Sequence, residues 1–149
     1  MPTTEIKYTW DEFERDYRLL ADRICLMPGD AIAILKARRD GALLLGKMIE
    51  EIKGVEAYCI NCRLEESEGE PIIKLVDPPS GLSGRRVFLV TEMANSGFWL
   101  DTVKKYLEEE MGCTVIIVTI HFCEGSIVEP DIYLRKIPRK VRVKYQWEW

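Results

Sequence analysis

Val87 to Glu109 reads VFLVTEMANSGFWLDTVKKYLEE. Its first four residues are continuously apolar, as in a strand covered on both faces. Beyond Phe98, apolar residues recur at Leu100, Val103, Leu107 and Met111, one stripe of an amphipathic helix that Gly112 is suited to end. Between strand and helix lies the turn Met93-Ala94-Asn95-Ser96-Gly97. Such a strand–turn–helix unit makes an anion site, because backbone N–H groups point outward where the helix dipole is positive. Asn95, Ser96 and Gly97 suit that site, and Thr91 and Glu92 end the strand where sugar hydroxyls can be held. The same residues also suit a plain helix cap.

Working outward, the unit repeats. Thr9-Trp10-Asp11-Glu12 is a capping-box pattern, followed by a helical stripe of Trp10, Phe13, Tyr17, Leu20 and Ile24. Pro28-Gly29-Asp30 ends that helix, and Ala31 to Leu35 (AIAIL) reads as a central strand. The basic stretch Lys36-Ala37-Arg38-Arg39-Asp40-Gly41 then opens into a helix that ends at Lys53-Gly54. Val55 to Leu64 and Pro71 to Val76 read as a hairpin around the polar turn EESEGE. Cys113 to Phe122 (CTVIIVTIHF) reads as a third buried strand, and the tail from Asp131 as two short strands around Pro138. Apolar strands alternating with helices predict an α/β fold: a mostly parallel, twisted, Rossmann-like sheet with helices on both faces. Ligands in such sheets bind outside the carboxyl ends of the strands, here at residues 36–41 and 91–97.

The 149 residues predict a single domain, 1–149. With 47% hydrophobic and 31% charged residues, the chain has the material for a core. Lys plus Arg number 21 against 25 Asp plus Glu, a net charge of -4, which argues against a nucleic-acid partner. No apolar run approaches the roughly 18 residues of a membrane span, so a soluble, cytoplasmic protein with no membrane partner is expected. The odd cysteine count (Cys25, Cys59, Cys62, Cys113, Cys123) predicts reduced thiols. Cys59 and Cys62 form a lone CxxC within a strand pattern that turns the two sulfurs to opposite faces, and His121 is the one histidine, so no resident metal is expected.

Five stretches of the chain, two of them overlapping at 87–90, resemble one family. VFLVTEMANSGFWLDTVKKYLEE is similar to the phosphoribosyl-pyrophosphate motif of type I phosphoribosyltransferases. Residues 8–24 (YTWDEFERDYRLLADRI) resemble the opening helix of the short archaeal and bacterial purine enzymes, and residues 34–49 (ILKARRDGALLLGKMI) their pyrophosphate loop. Residues 77–90 (DPPSGLSGRRVFLV) resemble the approach to the motif, and residues 130–149 the part that covers the base. The resemblance implies a small hood formed by the termini, a homodimer, and a nucleotide or phosphoribosyl ligand. It also implies transfer of phosphoribosyl from the magnesium complex of phosphoribosyl pyrophosphate to a purine base, with magnesium present only as part of that substrate.

By position, the resemblance places Thr91 and Glu92 on the ribose hydroxyls and Asn95, Ser96, Gly97, Phe98 and Trp99 around the 5′-phosphate. Lys36, Ala37, Arg38 and Arg39 fall on the pyrophosphate, and Tyr145 and Trp147 on the base. Glu92 and Asn95 take the catalytic positions. Thr91 stands where the family has an acid, and so does Asn95, which can hydrogen-bond but cannot act as a general base. Trp99 replaces a small hydroxyl residue and either narrows the pocket or packs beside Val103 and Tyr106. Arg142 lies where an aromatic commonly stacks on the base. These departures imply altered or lost transfer; the alternative is a non-catalytic relative that binds a nucleotide, a phosphate metabolite or a protein partner.

Overall fold

Residues 4–36, apart from the Lys36 side chain, and residues 41–148 are described by the computed structural model. In chain order the first half comprises β1 (Thr4–Lys7), α1 (Trp10–Cys25), β2 (Ala31–Lys36), α2 (Gly41–Lys53), β3 (Glu56–Ser67) and β4 (Glu70–Val76). The second half comprises β5 (Arg86–Val90), β6 (Met93–Ala94), α3 (Phe98–Glu109), β7 (Thr114–Val118), β8 (His121–Cys123), β9 (Arg135–Ile137) and β10 (Val141–Lys144).

The central sheet has the order β4-β3-β2-β5-β7, parallel except for the β3–β4 hairpin. Its strands alternate as the pleat requires. Ile32, Ile34, Phe88 and Val90 face α1 and α2, while Ala31, Ala33, Val87 and Leu89 face Leu100, Val103 and Leu107 of α3. Helices therefore cover both faces, as expected. Gly46 lets α2 lie close, since a Cβ there would stand 2.4 Å from Ile34. The hairpin closes on Glu68 and Gly69, both at positive φ (54° and 81°), the pair of conformations that matches the twist of the strands, and it is tighter than the six-residue turn expected.

α1 starts where predicted. The Glu12 amide donates to the Thr9 hydroxyl at 3.2 Å, and that hydroxyl donates in turn to the Glu12 carboxylate rather than leaving it to bond the Thr9 amide. Phe13, Tyr17, Leu20 and Ile24 are buried, each worth roughly 1.5–3 kcal/mol. Trp10 departs from the stripe and is 55% exposed, because the first residue of the helix lies beyond the edge of the surface it packs on. At the other end Lys53 of α2 donates to the Ile24 and Met27 carbonyls at 3.0 and 3.2 Å, tying α2 to the end of α1; the Ile24 carbonyl also accepts from the Met27 amide at 2.9 Å.

The run from Cys113 to Phe122 is not one strand. β7 stays in the central sheet, and after Thr119 and Ile120 the chain enters a second sheet, β6-β8-β9. The Thr119 amide donates to the Ile132 carbonyl at 3.0 Å, so the next segment of chain displaces the ladder at this point. β1 pairs in parallel with β10, from Thr4↔Val141 to Lys7↔Lys144, and this pair with the second sheet forms the hood.

Three polar groups fasten the hood. Asp16 of α1 is fully buried, accepts from the Tyr8 hydroxyl at 2.5 Å and takes a bidentate fork from Arg135 of β9 at 2.6 and 2.8 Å. Burial opposes ionisation of Asp16, but the hydrogen bonds from Arg135 and Tyr8 outweigh it and hold its carboxyl below the usual range. Burial and the Asp16 contact push the Tyr8 phenol up, so it remains a donor.

Candidate functional site

The turn after β5 builds a cavity of about 120 Å³ at the carboxyl end of the sheet. Thr91, Glu92, Asn95, Ser96, Gly97 and Trp99 line it, with Leu35 and Leu100 as its apolar floor. Backbone bonds fix the acidic residue: the Ile120 and His121 amides both donate to the Glu92 carbonyl at 3.1 Å, and the Tyr145 hydroxyl donates to it at 3.3 Å. Thr91, which is buried, donates to the Glu92 carboxylate at 3.4 Å. Trp99 therefore stands in the cavity wall, and its contact with the core under α3 is shared with that position.

Gly97 caps α3 at φ 83°, a left-handed conformation natural only to glycine. A Cβ at Gly97 would also stand 2.5 Å from the Ser126 hydroxyl and 2.9 Å from the Val128 amide. The loop 126–128 packs under the turn, and the Ile127 amide donates to the Ser96 carbonyl at 2.8 Å. The first-turn amides of α3 have no partner within the helix, and Ser96 accepts from the Phe98 amide at 3.3 Å, so capping and anion binding use different groups of the same turn. Phe98 offers only its backbone; its side chain is 42% exposed and does not line the cavity.

A second chamber of about 300 Å³ shares Met93 and Asn95 with the first as lining residues. Its other walls are Cys123 and, from the hood, Arg139, Val141, Arg142 and Val143. Burial pushes the Cys123 thiol up, so it is neutral. Of these residues the sequence reading had singled out Asn95 and Arg142.

Tyr145 and Trp147 do not line either chamber. Their rings stack on each other at 4.8 Å and 8°, and Tyr8 and Phe13 meet the indole edge-on at 6.4 and 5.6 Å. Tyr145 is buried and shares a 2.8 Å hydrogen bond with His121 Nδ1. Burial, helped by the Arg135 charge, pulls His121 down to about 4, so the ring is neutral at pH 7. The Trp147 indole nevertheless borders the site: it converges with the Glu92 carboxylate on Gly41, where a Cβ would stand 2.3 Å from both. Gly41, the first residue of α2 and the end of the expected binding loop 36–41, borders the site.

Ala37, Arg38, Arg39 and the side chain of Lys36 lie outside the described residues. Cys59 and Cys62 fall on opposite faces of β3; Cys59 is exposed, and burial pushes the Cys62 thiol up to about 11. Among the described residues no group of three or more His, Cys, Asp or Glu side chains forms a metal cluster, and no helix is long and apolar enough to cross a membrane.

No protein-family model and no curated protein sequence matches the chain. Solved structures do. The Helicobacter pylori xanthine-guanine-hypoxanthine phosphoribosyltransferase superposes with a TM-score of 0.80 at 18% identity, over 97% of this chain and 94% of that one. The purine phosphoribosyltransferase of Pyrococcus horikoshii gives 0.79 at 21%, over 97% and 95%. A hypothetical protein of Neisseria gonorrhoeae with bound ppGpp gives 0.76 at 21%, over 98% and 90%. With nearly the whole of each chain superposed and the turn after β5 in place, this protein has the type I phosphoribosyltransferase fold.

Proposed function

We propose that the protein is a phosphoribosyltransferase-like nucleotide binder in which transfer to a base is altered or lost. The phosphate of a nucleotide, or of phosphoribosyl pyrophosphate, docks on the amides at the start of α3, and the ribose lies over Thr91 and Glu92. One observation carries this reading: the cavity wall combines a single carboxylate, Glu92, with Asn95 and Trp99. The amide of Asn95 can orient a ligand but cannot take a proton from a reacting base. The Thr91 hydroxyl is a weaker acceptor for ribose than the second carboxylate it replaces. Binding is thereby retained more fully than turnover.

A reading as a slow transferase is favoured by Glu92, whose backbone three donors hold in place. In that case the chain positions substrate and contributes electrostatics, with little covalent chemistry of its own. Magnesium would come only as part of the substrate complex, where it would offset pyrophosphate charge, and Glu92 would be the carboxylate available to it. The protein is also proposed to be a homodimer, checked by its mass in solution.

Trp99 supplies the test. Titration with GMP, UMP, ppGpp or magnesium phosphoribosyl pyrophosphate is expected to change tryptophan fluorescence, and Glu92→Ala to weaken binding about tenfold or more, the value of a charge-assisted hydrogen bond. A flat signal for all four at millimolar concentration, confirmed by calorimetry, would end the binding reading. Pyrophosphate release with guanine, hypoxanthine, xanthine or adenine separates the two readings: release abolished by Glu92→Ala supports the transferase. Thr91→Asp with Asn95→Asp is expected to raise affinity for phosphoribosyl pyrophosphate.

A further inference from the structure

We infer that the chamber walled by Arg139 and Arg142 is a second anion subsite, so that this protein's ligand carries a negative group at the end remote from the phosphate held by α3. The inference rests on the proposed reading of the first cavity as a phosphate cradle. It concerns the other end of the same cleft.

Met93 and Asn95 line both compartments, and we take one elongated molecule to span them. At the far end two guanidinium groups come from one short stretch of the hood. Among the described residues no carboxylate lies within ion-pair distance of Arg139, and Arg142 reaches Glu148 only at 3.8 Å. Their neighbours in the chamber are Met93, Asn95, Val141, Val143 and the neutral thiol of Cys123; the Glu124 carboxylate acts on that thiol together with Arg139 but does not line the chamber. Two like charges on one partly apolar wall repel each other, and an anion placed between them removes that repulsion while accepting charge-assisted hydrogen bonds from rigid forks. An uncharged base would give neither guanidinium an anionic partner within the chamber.

Arg139 also lies close against the backbone of Gly125. Its guanidinium Nη2 lies 2.7 Å from where a Cβ of Gly125 would stand, and Gly125 has φ 93°. Any other residue there would push the guanidinium away.

The second anionic group has two chemical sources: a carboxylate on the base, or a further phosphate on the sugar. Matched pairs of nucleotides distinguish them. Orotidine 5′-monophosphate and UMP differ by one base carboxylate; guanosine 3′,5′-bisphosphate and GMP differ by one sugar phosphate. Isothermal titration of the full chain at low salt is expected to show at least a tenfold tighter fit for the doubly anionic member of one pair, and the pair concerned identifies the source. The double variant Arg139→Gln, Arg142→Gln is expected to erase that advantage while leaving UMP and GMP within about twofold. Arg139→Lys with Arg142→Lys should retain part of it. Both arginines are exposed, so the variants should fold; an unchanged far-ultraviolet dichroism and urea midpoint verify this. Equal affinities within both pairs, or an advantage that survives the glutamine variant, overturn the subsite while UMP or GMP binding preserves the cradle. Failure of all four to bind overturns the cradle and the subsite together.

Discussion

Two clusters of polar side chains lie on either side of the Glu92 backbone, and they are finished differently. Between α1 and the hood Tyr8, Asp16 and Arg135 complete one another's hydrogen bonds, and His121 and Tyr145 share theirs. On the cleft side Asn95, Arg139 and Arg142 surround space instead. A buried charge without a partner costs several kcal/mol, so the first cluster has to be complete in the empty protein. The second faces solvent, pays little when empty, and keeps its capacity for a ligand. A polar residue in this fold is therefore structural or functional according to whether the protein or the cavity supplies its partner.

The largest effect expected is from Arg135→Met, which strands the Asp16 carboxylate and should cost about 3–5 kcal/mol in urea unfolding. Adding Asp16→Leu should recover much of that loss; if Arg135→Met is no worse than Arg142→Met, the contrast between the clusters fails. The pH profile comes next. The folded pKa of His121 is depressed, so its contribution is complete above the unfolded value near 6.5 and is lost as pH falls through about 4. That window is worth on the order of 3 kcal/mol. Asp16, also depressed, removes further stability at still lower pH. Urea midpoints at pH 7 and pH 4.5 measure the slope, and His121→Phe should flatten its upper part.

Gly97→Ala is expected to cost about 1–2 kcal/mol from backbone strain alone and, because the loop 126–128 must move, to abolish the fluorescence response to GMP. Arg142→Met should be the mildest: its ion pair at 3.8 Å is half exposed, so stability should change by less than about 0.5 kcal/mol. Its effect should instead appear in ligand affinity, which would sharpen the distinction between the two clusters.

Local patterns carried the order of elements well. The apolar runs of β2 and β5, the Thr9 cap and the α3 stripe each depend on neighbours in sequence, and each stands where its period put it. The run 113–122 misled because a change of sheet leaves composition untouched; it is made by Ile132 from a later segment. The first cavity was legible because one turn provides most of its polar wall. The second joins Met93 and Cys123 to Arg139, and no spacing rule connects such distant residues. Tyr145 looked like a free aromatic for the same reason: its partners Tyr8 and His121 come from distant stretches of the chain.

The parallel pairing of Thr4–Lys7 with Val141–Lys144 has a consequence for the order of assembly. β1 gains its ladder only when residues 141–144 are available, while the central sheet can form from 31 to 118 beforehand. Closing so long a loop is entropically the costliest step in the topology, and it is the step that brings Arg139 and Arg142 over Met93. During synthesis on the ribosome, the cleft would exist as a half-open groove until the last strand docks, so binding competence marks a finished fold.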